Sequence, residues 1–157
     1  MKTLVAYFSA TGTTERAAKA LADAASADLF EIEAAEPYTA ADLNWNNSSS
    51  RSSIEMNDDA ARPAIAQTVS NMEEYETVFV GFPVWWYVEP RIIDTFLESY
   101  DFSGKTIIPF ATSGGSGLGE APARMAAICP GATVKRGGLL NHPSPASAEK
   151  FVNANIG

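Results

Sequence analysis

Short apolar runs alternate with stretches of helical periodicity along the whole chain. Lys2 to Phe8 is compact, apolar and rich in β-formers, which predicts a buried strand. From Thr13 to Ala25, Ala17, Ala18, Leu21, Ala22 and Ala25 recur at helical spacing. Asp28 to Ile32 alternates as a second strand. A long polar stretch, Glu36 to Asp58, then breaks the rhythm and exceeds the usual connection length, which marks it as a candidate functional loop. A weakly amphipathic helix is expected over about Arg62 to Asn71, with Pro63 in its first turn. Thr77 to Phe82 is the clearest central strand. Pro90 opens a helix with an apolar stripe of Ile92, Ile93, Phe96 and Leu97. A fourth strand (Thr106 to Ala111), a fourth helix (Leu118 to about Cys129), a fifth strand within Ala132 to Leu140 and a terminal helix (Ser147 to Asn155) complete the pattern.

Strict alternation predicts an α/β fold, a parallel sheet covered by helices on both faces. Five strands in this sequence fit a doubly wound sandwich of order 2-1-3-4-5 better than the six-stranded dinucleotide fold. The length of 157 residues suits one domain over residues 1–157.

Ligands of such sheets bind beyond the carboxyl ends of the strands. The first of these ends carries Ser9, Ala10, Thr11, Gly12, Thr13 and Thr14 just before a helix. Unpaired N–H groups at a helix N-terminus cradle anions, and four hydroxyls around a glycine exceed what one helix cap needs. No Lys or Arg lies within the loop, although Arg16 follows, so dipoles and hydroxyls are expected to hold a phosphate there. The Gly-Lys-Ser/Thr ending of a nucleotide-triphosphate loop is absent, as is Gly-x-Gly-x-x-Gly.

After the third strand stand Pro83, Val84, Trp85, Trp86 and Tyr87. Three consecutive aromatics cannot all point into one core, and at this place they suit a planar ligand. The fourth strand ends in Thr112, Ser113, Gly114, Gly115, Ser116 and Gly117, whose backbone can approach the edge of a heterocycle. Phosphate at one end and a flat, polar-edged ring at the other is the shape of flavin mononucleotide (FMN).

These loops resemble those of flavodoxins. Leu4 to Ala18, Gly81 to Tyr87 and Pro109 to Gly119 carry the resemblance, which extends over essentially the whole chain. It implies a flavodoxin-like fold in which residues 9–14 hold the FMN phosphate, 83–87 flank the isoalloxazine and 112–117 meet its pyrimidine edge. Two departures stand out. Val84 to Val88 lacks the glycine at which electron-carrier flavodoxins flip a peptide, and there is no room for the strand-five insertion of long-chain members. The extra length lies at residues 36–58 instead, and that loop, with Trp45, Arg51 and Ser52, has two readings: one that closes over the cofactor, and a mobile surface loop.

Charge narrows the partners. Eleven Lys and Arg against nineteen Asp and Glu give a formal charge of −8, which excludes a nucleic-acid footprint and favours redox protein partners with basic docking faces. No run reaches membrane length, Cys129 is the only cysteine, and a cytoplasmic protein is expected. Asn47-Ser48-Ser49 matches a glycosylation acceptor only formally. His142, the only histidine, and Cys129 offer no acid–base set and no metal site. The expected function is low-potential electron transfer by bound FMN. The alternative is an FMN-dependent NAD(P)H:quinone-type or other flavin reductase. A non-flavin module such as a phosphate-binding sensor is the third reading, weakened because the acidic metal ligands that receiver domains need after the first strand are absent.

Overall fold

The computed structural model describes residues 2–156. In chain order it contains β1 (Lys2–Tyr7), α1 (Thr13–Ala25), β2 (Asp28–Glu31), α2 (Arg51–Met56), a 3-10 turn at Met72–Glu74 and β3 (Tyr75–Pro83). There follow α3 (Arg91–Glu98), β4 (Thr106–Thr112), α4 (Ala121–Ile128), β5 (Thr133–Val134), β6 (Gly138–Leu139) and α5 (Pro145–Ile156). Every strand pair is parallel, in the order β2-β1-β3-β4-β5, with β6 also on β4. This is the doubly wound α/β sandwich that the alternation predicts. No helix among the described residues is long and apolar enough to cross a membrane.

Period-two alternation divides the core between the two faces. Val5, Tyr7, Phe79, Ile108 and Phe110 bury against α1 and α5, where Ala17, Ala18, Leu21 and Val152 meet them. Leu4, Ala6, Val78, Val80, Phe82, Ile107 and Ala111 bury on the other side against α3 and α4. Gly81 has a steric role: a Cβ there would lie 2.1 Å from the Phe110 ring. The missing side chain lets a large ring lie flat on the neighbouring strand.

Three elements differ from the sequence expectation. Residues 62–71 form no helix. Ala35 N–H donates to Ala64 O (2.8 Å) and Ala66 N–H to Glu33 O (2.8 Å), so this segment runs antiparallel to the chain after β2. Pairing at that edge, with Ile65 and Val69 packed on the core, outweighs a weak helical pattern. The helix of this region is α2, inside the stretch read as irregular, and the Ser50 hydroxyl caps it by accepting from Ser53 N–H.

The fifth strand is the third difference, since it splits into β5 and β6. Lys135 N–H donates to Ile107 O (2.9 Å) and Leu140 N–H to Ala111 O (2.8 Å). Between them on the same edge lies Pro109, which has no N–H to offer. There the outer strand breaks at Gly137 (φ 63°), where a Cβ would collide with Pro109 O.

Candidate cofactor site

The loop between β1 and α1 is built around one hydroxyl. Ser9 Oγ accepts from Gly12 N–H (3.0 Å) and Glu15 N–H (3.1 Å), and Gly12 turns the chain at φ 94°. The backbone N–H groups of Thr11, Thr13 and Thr14 have no protein acceptor among the described residues, which leaves donors for an anion. Thr14 is buried, and its hydroxyl lies 2.8 Å from that of Thr112. Ser9 and Thr14 therefore shape the loop, whereas Thr11 and Thr13 face the cavity. A cation does approach this turn. Arg16 Nη1 lies 3.7 Å from where a Gly12 Cβ would stand, so the absence of Lys and Arg within the loop understates its positive charge.

After β3 the chain makes a two-residue turn. Trp85 N–H donates to Val88 O (3.0 Å) and Val88 N–H to Trp85 O (3.1 Å). The central residues, Trp86 and Tyr87, have φ 49° and 68°, a conformation usually left to Gly, Asn or Asp. Trp85 packs edge-on to Phe8 and Tyr38, with ring centroids 5.7 and 5.5 Å away. Gly119 sits directly beneath the turn, since a Cβ on it would be 2.3 Å from Tyr87 O. The loops after β3 and β4 are thus packed backbone to backbone.

The loop after β4 is held by Asn141. Its Oδ1 accepts from Ser113 N–H (2.9 Å) and its Nδ2 donates to Ser113 O (3.0 Å). Ser113 Oγ in turn accepts from Ser116 N–H (3.0 Å). Sequence reasoning missed Asn141, which lies beyond the fifth strand with no motif around it. A Cβ on Gly114, Gly115 or Gly117 would meet nothing within 4 Å. Packing does not require these glycines, which leaves open space for a ligand.

The three loops enclose a cavity of about 1000 Å³. Ala10, Thr11 and Thr13 line it at the α1 end; Pro83, Val84, Trp85, Trp86 and Tyr87 form one wall; Thr112, Ser113, Gly114, Gly115 and Ser116 form the other. Ser9, Gly12, Thr14 and Gly117 stand outside the lining. Leu43, Trp45 and Ser52, from the long segment ahead of α2 and from α2 itself, complete it. Of these only Leu43 carried no sequence signal. Tyr87 is the one lining residue with a titratable side chain, and none carries a full charge. Free donors at a helix N-terminus, an aromatic wall and a bare glycine edge suit a flavin cofactor.

Beside this pocket lies a knot of buried charge. Glu89 follows the aromatic turn, Asp94 and Arg91 sit on α3, and all three are buried. Arg124 Nε reaches Glu89 Oε2 (3.3 Å), and Arg91, Arg124 and Arg62 lie 3.8, 3.6 and 4.0 Å from Asp94 Oδ2. Glu89 Oε1, Arg91 Nη1 and both Asp94 oxygens lack a hydrogen-bond partner. Burial, then the Asp94 carboxyl, pushes Glu89 up to about 8. Arg91 also donates to Met56 O (3.0 Å), Asp58 O (3.1 Å) and Asp59 Oδ1 (2.9 Å), capping the end of α2. Elsewhere, Cys129 is buried in the core and pushed up to about 11 by burial, and His142 is exposed at φ 45°.

The flavodoxin sequence family matches residues 2–155. The chain belongs to that family. A Bacteroides eggerthii protein assigned to the flavoproteins is 48% identical, covers 99% of this chain and 98% of its own, and superposes with a TM-score of 0.94. A Bacteroides uniformis counterpart is 50% identical over 97% of both chains, with a TM-score of 0.93. A flavoprotein from Lactobacillus acidophilus, solved in complex with FMN, shares the fold at 24% identity (85% of this chain, 89% of its own, TM-score 0.66). No curated protein matches significantly. The order β2-β1-β3-β4-β5 is thus the family's flavodoxin-like topology, with short β5 and β6 sharing the edge of β4.

Proposed function

We propose that the chain binds FMN and acts as an electron-transfer protein. One observation carries the reading: the lining has no fully charged side chain and ends at the free N–H groups of Thr11, Thr13 and Thr14. A phosphate fits the donors, and a neutral ring system fits the rest. When bound, FMN supplies the redox chemistry, and the chain supplies position and electrostatics. Ser9 shapes the phosphate cradle, Trp85 is fixed by Phe8 and Tyr38, and Ser113 is fixed by Asn141. With no lining cation and a formal charge of −8, an anionic reduced ring is disfavoured, which points to a low potential. The same charge favours a redox partner with a basic docking face and an association that weakens as salt rises.

The lactobacillar flavoprotein with FMN supports the cofactor. A flavin reductase is the second reading, favoured by the exposed rings at the mouth of the cavity. The test is anaerobic reductive titration of the FMN-loaded chain. Two resolved one-electron steps support the carrier, and a single two-electron step supports the reductase. Failure of FMN to bind overturns both.

A further inference from the structure

The long segment between β2 and β3 is tied to the cavity by a residue that never reaches it. Leu43, Trp45 and Ser52 line the cavity, whereas Arg51 stands outside the lining. Its guanidinium instead covers the Tyr38 ring, with Cζ 3.8 Å from the ring centroid. Arg51 Nε donates to Glu55 Oε2 (3.0 Å) and Nη1 to Glu36 O (2.7 Å). The flat group is thus held by a ring, a carboxylate and a carbonyl at once.

Tyr38 closes the circuit. Its hydroxyl donates to Glu55 Oε1, the other oxygen of the carboxylate that Arg51 holds. Burial, then that bond, raises the hydroxyl above its ordinary value, so it remains a donor. The Tyr38 ring meets Trp85 edge-on, with centroids 5.5 Å apart and planes at 74°, and both rings meet Phe8. Phe8 belongs to the buried core at the end of β1. Tyr38 belongs to the long segment and takes its orientation from Arg51 and Glu55. One of the two rings that support Trp85 therefore depends on an ion pair outside the cavity.

The pair is built to hold a position. Its side chains are 22% and 13% exposed, so water weakens it less than an open surface bridge. A guanidinium lying flat on a ring fixes orientation as well as distance, which a lysine does not. Because Glu55 balances Arg51, the pair as a unit puts no net charge behind the wall. The segment is also closed at its base, where Ser52 N–H donates to Asp42 O (3.0 Å) and Thr39 and Asp42 bond each other reciprocally (3.0 and 3.1 Å). Resting on the FMN reading, we propose that Arg51 is a positioning residue for the flavin ring: with Glu55 it holds Tyr38, and through Tyr38 it sets the orientation of Trp85 in the cavity wall. The segment acts as a buttress, and its work is done before the cofactor arrives.

The test pairs flavin titrations with fluorine NMR of the full chain carrying 5-fluorotryptophan. The chain has three tryptophans, and Trp85→Phe assigns the resonance of interest. Arg51→Ala is expected to move or broaden the Trp85 resonance in the flavin-free chain. It is also expected to weaken FMN and riboflavin alike, by about tenfold, since the loss falls at the ring wall and not at the phosphate end. Tyr38→Phe keeps the ring between Arg51 and Trp85 and is expected to retain both affinities within about threefold. Should Arg51→Ala not fold, Arg51→Lys takes its place, with the same resonance shift and a smaller equal loss. An unmoved Trp85 resonance overturns the proposal. So does a lowered melting temperature with flavin affinity unchanged, which reduces Arg51 to structural support, and so does a loss larger for FMN than for riboflavin. Absence of flavin binding by the unsubstituted chain is the separate failure of the FMN reading, and the role in placing the flavin falls with it.

Discussion

The hydroxyls of Thr14 and Thr112 lie 2.8 Å apart and join the start of α1 to the end of β4. Both side chains are buried, so this bond closes two walls of the cavity on each other. It also separates two threonines that look equivalent in sequence. Thr13 faces the cavity, while the Thr14 hydroxyl is already committed to Thr112. Thr14→Val strands a buried hydroxyl and is expected to cost about 1–3 kcal/mol of stability, read by denaturant unfolding of the apoprotein. Thr13→Val is expected to leave stability nearly unchanged and to weaken FMN more than riboflavin. Equal weakening of the two flavins removes Thr13 from the phosphate site.

Gly115 and Gly119 separate cofactor space from packing space. A Cβ on Gly115 meets nothing within 4 Å, whereas one on Gly119 stands 2.3 Å from Tyr87 O at φ 58°. Gly115→Ala is therefore expected to preserve the melting temperature and to weaken FMN. Gly119→Ala is expected to lower both stability, by about 1–3 kcal/mol, and FMN affinity, because the aromatic turn must move. Thermal melts of the two apoproteins with FMN titrations alongside decide it. Unchanged FMN affinity in Gly115→Ala sinks the glycine-edge assignment.

The turn itself stores strain that a substitution can release. Tyr87 holds φ 68° with its side chain largely in water, so little packing is lost when it goes. Tyr87→Gly is expected to stabilise the apoprotein by about 1 kcal/mol, and chemical denaturation reads the gain. Destabilisation of that size would show that the left-handed conformation at this position costs nothing.

Much of this was legible in the sequence because the signals were local. Apolar alternation marks β1, β3 and β4, and the three strand-end loops declare themselves by hydroxyls, aromatics and glycines. What stayed hidden depends on distant partners. Residues 64–66 pair with 33–35 across a long intervening segment, and Ser50 caps a helix within a polar run whose composition argues against one. Pro109 breaks the outer strand through a missing N–H that matters only once its neighbour is known. Asn141 and Leu43 reach the site through tertiary contact alone. The buried charges follow the same rule, since nothing in the sequence around Glu89 and Asp94 marks them as buried, and Arg124 reaches both only through the packing of α4 against α3.

That burial gives the molecule a pH dependence whose sign follows from the proton. Glu89 is pushed up to about 8, by burial first and by the facing Asp94 second, against an ordinary value of 4.5. Between those values the folded chain holds a proton that the unfolded chain has released. The contribution is full below about pH 4.5 and is lost as pH rises through about 8, so stability falls across that window. Every group facing Glu89 shares in this balance: Asp94, Arg91 and Arg62 bear on the pair from around α3, and Arg124 from α4. The exposed Asp59 completes the ring from the α2 side. Glu89→Gln keeps the shape without the titration. It is expected to flatten the fall in melting temperature between pH 5 and 8, at roughly 2–4 °C for each kcal/mol retained. Wild-type melting temperatures that rise over that range would show that both carboxyls are ionised and held by the arginines alone.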